Sequence, residues 1–179
     1  MNNDKKMLTI EFEVEKTADG SNGAKIINLF SQIPDIAIPS AVIFNDEVIP
    51  VTAINDGALT NLESKLVFIP PNVSFNKLFS KPRKKAITVS PFFDKKLRRD
   101  MSRLRNIVNE DANVSVLLPA GHCYFLDNGF TKKCQKANIN VSFGIERALL
   151  NSFNRLNLRS DNNGKPLSDQ HFEFKYIGE

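Results

Sequence analysis

The tetrapeptide Gly-His-Cys-Tyr at residues 121–124 holds the two residue types of this chain that best suit nucleophilic catalysis. A cysteine nucleophile needs a base such as histidine within hydrogen-bond distance of its sulfur. Adjacent residues on a strand point to opposite faces, so His122 is poorly placed to take the proton of Cys123. The other histidine, His171, lies near the C-terminus, and no pattern in the sequence brings it to Cys123. We therefore expect no catalytic residues and a protein that is not an enzyme.

The same residue types argue against a metal or cofactor site. The chain has two cysteines and two histidines, without the paired spacing of a zinc site. Its glycines do not form a phosphate-binding loop, and the turn at 161–164 lacks the acidic residues of a calcium loop. We expect no metal ion and no cofactor. Cys123 and Cys134 could form a disulfide in an oxidising compartment, but the absence of an N-terminal leader favours two free thiols.

Charge supplies the strongest candidate for a binding site. Residues 81–105 contain ten lysines and arginines against two aspartates, a net charge of +8, whereas the whole chain carries only +4. Two interpretations remain open: a solvated surface, or a surface that binds an acidic protein, a nucleic acid or another anion. No DNA- or RNA-binding motif accompanies the charge, so an acidic protein surface is the favoured anion. The candidate binding residues are Lys84, Lys85, Lys95, Lys96, Arg98, Arg99, Arg103 and Arg105.

A helix near residues 94–109 is predicted to carry many of these cations. Its apolar residues recur with the helical period, and Asp94 is placed to cap the first turn. The predicted apolar stripe consists of Phe93, Leu97, Met101, Leu104 and Val108. Such a stripe indicates one buried face with basic flanks.

Short strands that end in turns dominate the rest of the chain. Residues 8–14 alternate apolar and polar side chains, as in a half-buried strand. Ile-Pro pairs follow at 38–39, 49–50 and 69–70, and the turn Asn-Asp-Gly lies at 55–57. Proline has no N–H for a ladder and sits at strand ends or edges. The spacing favours very short strands, each followed by a corner, over the long strands of a flat sheet.

This pattern resembles the BspA-type leucine-rich repeat family. The residues that carry the resemblance are Ile38, Pro39, Val42, Phe44, Pro50, Val51, Ile54, Ala58, Leu66, Ile69, Pro70 and Val73. Leu59 stands where the family has phenylalanine, and residues 114–124 are similar to the unit that ends such arrays. Between the two blocks, residues 74–113 contain a strand-like run at 86–93 but no clear repeat. The resemblance implies a solenoid, in which each coil of chain stacks on the one before and the strand faces bind protein partners.

The C-terminal residues are predicted to close this solenoid. The apolar stripe of a helix over 144–157 consists of Ile145, Ala148, Leu149, Phe153 and Leu156. Residues 171–177 alternate aromatic and polar side chains, which is typical of a strand. This final strand could cover the open end of the solenoid, pair with the first strand, or serve as the edge of a homo-oligomer.

These features predict a single α/β domain over residues 1–179. A lead-in strand and loop occupy 8–37, repeat-like coils occupy 38–143, and a helix-plus-strand cap occupies 144–179. The predicted function is non-catalytic protein–protein interaction on a short leucine-rich-repeat-like solenoid, and the alternative is anion or nucleic-acid binding by residues 81–105. No apolar run is long enough to span a membrane. We expect a cytoplasmic protein, and export by a route that needs no N-terminal leader is left open.

Overall fold

The computed structural model describes residues 7–93, 97–120, 128–158 and 168–178, which form a mixed α/β structure. The strands within these ranges are β1 (Met7–Lys16), β2 (Asn22–Phe30), β3 (Asp35–Ala37), β4 (Ala41–Phe44), β5 (Glu47–Ile54), β6 (Leu66–Ile69), β7 (Ile87–Pro91), β8 (Val114–Ala120), β9 (Val141–Ile145) and β10 (His171–Tyr176). The helices are α1 (Met101–Val108), α2 (Asn128–Lys136) and α3 (Glu146–Leu156), and a 3-10 turn spans Leu97–Arg99. No helix in the described ranges is both long enough and apolar enough to cross a lipid bilayer.

Half of the strands form a curled sheet in the order β10-β1-β2-β5-β4. β1 pairs antiparallel with β2, β2 pairs parallel with β5, and β4 and β5 form a hairpin. The curl brings the two edges together, since the ring centres of Phe44 on β4 and Tyr176 on β10 lie 4.5 Å apart. Both rings pack against Phe12 of β1, which is buried. The expected lead-in strand is therefore one of five, because part of the expected loop forms the strand β2 and β5 pairs with β2.

The C-terminal strand β10 pairs in parallel with β1 along six residues of each strand. Of the alternatives left open for the final strand, pairing with the first strand is the one that the structure shows. Phe172 and Phe174 of β10 are half-buried against the main core, and their rings stack with centres 5.7 Å apart. The edge of β10 that does not pair with β1 lies beside β4, where the Tyr176 ring contacts that of Phe44. β10 thus closes the curled sheet.

The remaining five strands form a sheet in which all neighbours are parallel and follow one another in chain order, β3-β6-β7-β8-β9. One residue of each strand lies in a row across this sheet, and the row faces the main core. The row consists of Ile36, Val67, Val89, Val116 and Val141. Burying a β-branched side chain of this size contributes roughly 1.5–3 kcal/mol. The strands expected at 66–69 and 114–118 are confirmed, and the run at 86–93 contains β7.

The Ile-Pro pairs at 38–39, 49–50 and 69–70 divide between the two sheets. Ile38 donates its N–H to the Phe68 carbonyl at 2.9 Å, which extends the pairing of β3 with β6. Ile69 ends β6, so two of the pairs terminate neighbouring parallel strands. Ile49 and Pro50 belong instead to β5 in the curled sheet. Each proline therefore lies at a strand end or in a strand of the sheet that curls.

The segment that follows β6 runs beside the segment that follows β5. The Leu59 N–H donates to the Leu78 carbonyl at 3.0 Å, and the Gly57 N–H also donates to this neighbouring segment. Leu78 and Phe79 are fully buried, as are Ala58 and Leu59 in the preceding turn. The sequence showed no clear repeat in residues 74–113, and the structure places the start of this stretch beside the turn that holds Leu59.

The basic helix is shorter than predicted. α1 begins directly after Asp100, whose carboxylate accepts the Ser102 N–H at 2.9 Å. Such a cap stabilises a helix by roughly 1 kcal/mol and so sets its first residue. Asp94, the predicted cap, lies outside the described residues. The predicted apolar stripe is confirmed at Leu104 and Val108, which are buried.

α3 covers a face of the parallel sheet instead of closing an open end. Phe153 of α3 is buried against Phe68 and Phe92, which form a second, smaller core with it. Ile145 was predicted to belong to the apolar stripe of the helix, but it is 72% exposed because it ends β9 and precedes the first turn of α3. Ala148 is exposed as well. The predicted helix is confirmed, and its position as an end cap is wrong.

Candidate functional site

The eight candidate cations do not share one surface. Lys95 and Lys96 lie outside the described residues, as does the side chain of Arg98. The other five fall into two groups. The first group, Lys84 and Lys85, lies on the exposed loop 81–86 before β7, called the basic loop below. The second group, in the 3-10 turn and α1, consists of Arg99, Arg103 and Arg105.

Arg83 holds the basic loop in place, a role that the charge pattern did not predict. Its backbone N–H donates to the Asp111 carboxylate at 2.6 Å, and the Asn113 amide donates to its carbonyl. Its guanidinium donates to the carbonyls of Leu59 and Thr60 at 3.4 and 3.3 Å. Burial lowers the pKa of this guanidinium, against the opposing effect of Asp111, yet arginine stays charged at neutral pH. The loop is therefore tied both to the turn before it and to the segment after α1.

A ring contact adds to this anchoring. The guanidinium carbon of Arg83 lies 5.6 Å from the ring centre of Phe79, a cation–π geometry that contributes about 0.5–1 kcal/mol. Arg83 is partly buried, whereas Lys84 and Lys85 are exposed. A loop fixed in this way loses little further conformational entropy when its lysines bind an anion. The basic loop is thus a preorganised cationic surface.

A cleft of about 290 Å³, called the loop cleft below, lies between the basic loop and the turn 60–63. Four cations and one carboxylate are among the residues that line it. They are Lys81, Arg83, Lys84, Lys85 and Glu63. Cations that surround a cleft focus the electric field and raise the local concentration of anions. The loop cleft is therefore suited to an acidic ligand.

A larger cleft, of about 460 Å³, lies on the other side of the same turn. It shares Asn61 and Glu63 with the loop cleft and is lined on its far side by Thr9, Phe30 and Glu173. The Thr9 hydroxyl donates to the Glu173 carboxylate at 3.3 Å. Among the described residues that line this space there are two carboxylates and no cation, so this lining has the opposite charge to that of the loop cleft.

A third cleft, of about 340 Å³ and called the helix cleft below, lies between the starts of α1 and α2. Arg99 and Lys133 line it together with Met101, Gly129 and Phe130. The guanidinium carbon of Arg99 lies 5.7 Å from the ring centre of Phe130. None of these five lining residues is acidic. Lys133 was not among the candidate cations because it lies outside the basic segment, and only the packing of α2 beside α1 brings it to Arg99.

Arg103 and Arg105 point to different sides of α1. Side chains that are two positions apart in an α-helix point about 160° away from each other around the helix axis. The Arg103 Nε lies 3.9 Å from the Asp100 carboxylate, and its guanidinium carbon lies 5.8 Å from the ring centre of Phe93. Arg105 is exposed in the last turn, where a cation interacts favourably with the helix dipole. α1 therefore has no continuous basic face.

The outer face of the parallel sheet, which the resemblance marked as the partner-binding face, is partly covered by α3. The ring centre of Phe153 lies 4.8 Å from that of Phe92 and 6.3 Å from that of Phe68. Thr88 and Ser115, on the neighbouring part of this face, are half-buried, and their hydroxyl oxygens lie 3.1 Å apart. The chain itself thus occupies much of the surface on which a partner was expected.

Two buried amide side chains fasten the C-terminal segment to β3 and the turn after it. Asn157 accepts the Ser40 N–H at 2.7 Å and donates to the Ser40 hydroxyl at 3.0 Å. Gln170 accepts the Ala37 N–H at 3.2 Å and donates to the Ala37 carbonyl at 3.1 Å. Buried backbone groups need such partners, and here a side chain supplies what a neighbouring strand would otherwise supply. The backbone N–H and carbonyl of Ala37, at the β3 edge of the sheet, therefore both have hydrogen-bond partners.

The residues considered for catalysis do not form a site in the described part of the chain. His122 and Cys123 lie outside it, and His171 is exposed on β10. Within the described ranges, no group of three or more His, Cys, Asp or Glu side chains could hold a metal ion. Cys134 is a free thiol buried in the main core. Burial raises the pKa of this thiol, which lowers its thiolate fraction and makes it a poor nucleophile.

We expect Cys134 to resist alkylation in the folded protein and to react at once in urea. Folding raises the pKa of the Cys134 thiol. The contribution of this thiol to the free energy of unfolding is therefore constant below its unfolded pKa of about 8.5, and it decreases as the pH rises from there through the pKa in the folded protein. Labelling with iodoacetamide near neutral pH, read by mass spectrometry of the Cys134 peptide, measures the protection. The Cys134→Ala variant should lose the alkaline decline in stability. Rapid labelling in native buffer would contradict the burial.

No protein-family model, no curated protein and no solved structure matches this chain. The function is therefore inferred from the clefts and the two sheets.

Proposed function

We propose that this chain is a non-catalytic protein-recognition module built on a short leucine-rich-repeat scaffold of the BspA type. Support comes from the parallel sheet, whose strands follow one another in chain order, as coils of a solenoid do. The core-facing row from Ile36 to Val141 has steps of 22 to 31 residues. Leucine-rich repeats have periods of roughly 20–29 residues. The turns that hold Leu59 and Leu78 lie side by side, which also suits neighbouring units of one array.

The two ends of such an array need protection from water and from other strands. In this proposal the curled sheet covers the N-terminal end, since β5 continues into the first turn of the array and β2 pairs with it. The C-terminal helix α3 has a different role, because it lies on the outer face of the strands. The array therefore offers its partner the loops at its rim more readily than the strands themselves.

The basic loop is the surface that we assign to partner binding. The loop cleft holds four cations against one carboxylate, and Arg83 fixes the loop that carries them. This preorganised cluster of positive charge is the single observation that carries the proposal. It fits an acidic segment of a protein partner, because several cations around one cleft attract carboxylates and steer their approach.

Reversing the charges of Lys84 and Lys85 together should weaken the binding of an acidic peptide by about tenfold or more. The probe is a fluorescently labelled peptide of aspartate and glutamate, and anisotropy measures its affinity at roughly physiological salt. The double variant Lys84→Glu, Lys85→Glu removes two cations from the loop cleft. It keeps Arg83 and the hydrogen bonds that fix the loop, so the fold should be unchanged.

The matched control is Lys132→Glu with Lys136→Glu, which reverses two exposed cations on α2 and changes the net charge equally. This control should weaken peptide binding by about twofold or less, as expected for distant, screened charges. If both pairs weaken binding equally, the attraction comes from net charge alone and the proposed site is wrong.

The helix cleft favours a second candidate function, the binding of nucleic acid or another polyanion. The described residues that line it include Arg99 and Lys133 and none that is acidic. Duplex DNA replaces the acidic peptide in the same assay, and the affinity is followed as salt is raised. This candidate is favoured if DNA binds more tightly than the peptide, if Arg99→Glu with Lys133→Glu abolishes that binding, and if the variant of Lys84 and Lys85 retains it.

A further inference from the structure

Two clefts of opposite charge meet at the turn 60–63. The loop cleft, with four cations in its lining, lies on one side of this turn, and the larger cleft of about 460 Å³ lies on the other. This larger cleft is called the acidic cleft below, and its lining includes Glu63, Glu173, Thr9, Ser31, Gln32 and Asn61. Asn61 and Glu63 belong to both linings, so the two clefts are neighbours on one surface. The charge of this surface therefore changes sign at the turn.

The opposite charges on the two sides of the turn are not paired with one another. Within the described ranges, no carboxylate lies within ion-pair distance of Lys81, Lys84 or Lys85. The Glu63 carboxylate lines the same cleft as these lysines, yet it too has no ion pair in the described part of the chain. These four charges are therefore available to a ligand.

The second carboxylate of the acidic cleft is only partly engaged. Glu173 accepts the Thr9 hydroxyl at 3.3 Å and lies 3.4 Å from the Lys175 ammonium, and both contacts use the same oxygen, Oε1. A carboxylate has two oxygens that accept hydrogen bonds. The Oε2 oxygen of Glu173 can therefore accept a further donor, such as a basic side chain.

Hydrogen bonds hold the turn between the two clefts from both sides. The Thr60 hydroxyl accepts the Ser80 N–H at 2.8 Å, and the Thr60 carbonyl accepts the Arg83 guanidinium at 3.3 Å. On the side of the acidic cleft, the Glu63 N–H donates to the Ser31 carbonyl at 3.2 Å. A ligand that crosses this turn therefore meets charges whose spacing is set before it binds, which lowers the entropic cost of binding.

We infer that the partner segment of this module is bipolar, with acidic residues that bind in the loop cleft and a neighbouring basic residue that binds in the acidic cleft. The inference rests on the proposed function, which assigns the acidic residues of the partner to the basic loop. The volume of the acidic cleft falls within the range of ligand pockets, so it has room for a lysine or arginine side chain. An acidic segment that continued past the turn would instead meet Glu63 and Glu173. Such repulsion between like charges provides specificity against uniformly acidic partners.

Three labelled peptides of equal length test the inference, with anisotropy measured at roughly physiological salt. The first joins an acidic block to a basic block and is made in both block orders, of which the tighter binder is used. The second has neutral residues in place of the basic block, and the third has the composition of the first with its charges alternating. The first peptide should bind at least about threefold more tightly than the other two. Attraction by the net charge of +4 alone predicts that the second peptide binds more tightly than the first, because the second is more negative.

Neutralising the acidic cleft should remove the advantage of the first peptide over the second. The variant is Glu63→Gln with Glu173→Gln, and glutamine can still accept the Thr9 hydroxyl, so the fold should be retained. The matched control is Glu13→Gln with Glu15→Gln, which neutralises two exposed carboxylates on β1 and changes the net charge equally. This control should keep the advantage of the first peptide. Circular dichroism identifies a variant that fails to fold, and Glu63→Gln alone then decides, because that carboxylate has no ion pair to lose within the described ranges.

The inference is overturned if the first peptide binds no more tightly than the second, or if its advantage survives neutralisation of the acidic cleft. The variant Lys84→Glu, Lys85→Glu distinguishes this outcome from failure of the proposed function. If this variant binds the second peptide more weakly than the wild type does, while the first peptide has no advantage, the basic loop binds acidic segments and only the bipolar partner is wrong. If it binds the second peptide as tightly as the wild type does, the proposed function is wrong and the inference is wrong with it.

Discussion

Replacing Phe68 with alanine should lower the free energy of unfolding by about 3–5 kcal/mol. Phe68 is 1% exposed on the outer face of β6, with its ring centre 6.0 Å from that of Phe92 and 6.3 Å from that of Phe153. Removing the ring loses apolar burial and leaves a cavity beneath α3 that the sheet cannot fill by relaxing. Urea unfolding followed by circular dichroism measures the loss. The midpoint should fall while the slope with urea stays constant.

Phe30→Ala is the matched control, since it removes the same ring from a residue that is 39% exposed. Its effect should be about 1 kcal/mol or less. Combining Phe68→Ala with Phe153→Ala should destabilise the protein by less than the sum of the two single substitutions, because these rings pack against one another. If Phe68→Ala alone has an effect below about 1 kcal/mol, α3 does not cover this face of the sheet. The strand face would then be open to partners after all.

The strands could be predicted where apolar and polar residues alternate without interruption. β1 was found in this way, since its side chains at Leu8, Ile10 and Phe12 all face the core. β2 was not, because a bulge interrupts its pairing with β1. Phe12 pairs with Ile26, whereas the residue before Phe12 pairs with Asn28, so the residue between them on β2 is extra. An extra residue shifts the alternation by one place, which hides the strand from a period-two pattern.

The helical pattern gave the core face of α1 correctly and its start incorrectly. Apolar residues keep nearly the same spacing through the 3-10 turn and the helix, so the pattern continues across the boundary between them. The boundary is set by Asp100, whose side chain binds the backbone at Ser102. Both Asp94 and Asp100 are suitable caps in the sequence. Which of the two caps the helix depends on the tertiary structure and cannot be read from the sequence.

The basic segment shows that charge along a chain differs from charge in space. Arg83 and Lys84 are neighbours in the chain. The Arg83 guanidinium donates to carbonyls of an earlier turn, whereas the Lys84 side chain is exposed. A run of lysines and arginines does not distinguish the cation that fixes the loop from those that the loop presents. The same limit applies to the helix cleft, where Lys133 meets Arg99 through tertiary packing. The candidate list therefore contained part of each cationic group and neither group completely.

Replacing Gln170 with leucine should lower the free energy of unfolding by about 2–4 kcal/mol, because it leaves two buried backbone groups of Ala37 without their partners. Gln170 is buried and binds both the N–H and the carbonyl of Ala37. Leucine has a similar size but can neither donate nor accept, so the substitution tests the hydrogen bonds more than the packing. Urea unfolding measures the loss, and hydrogen exchange at the Ala37 N–H should become faster.

Gln135→Leu is the control for this substitution, since Gln135 is exposed on α2 and its replacement should change stability by about 0.5 kcal/mol or less. Equal effects of the two variants would contradict the bonds to Ala37. If the bonds form, Gln170→Leu also exposes the β3 edge to new pairing, so this variant should self-associate at high concentration.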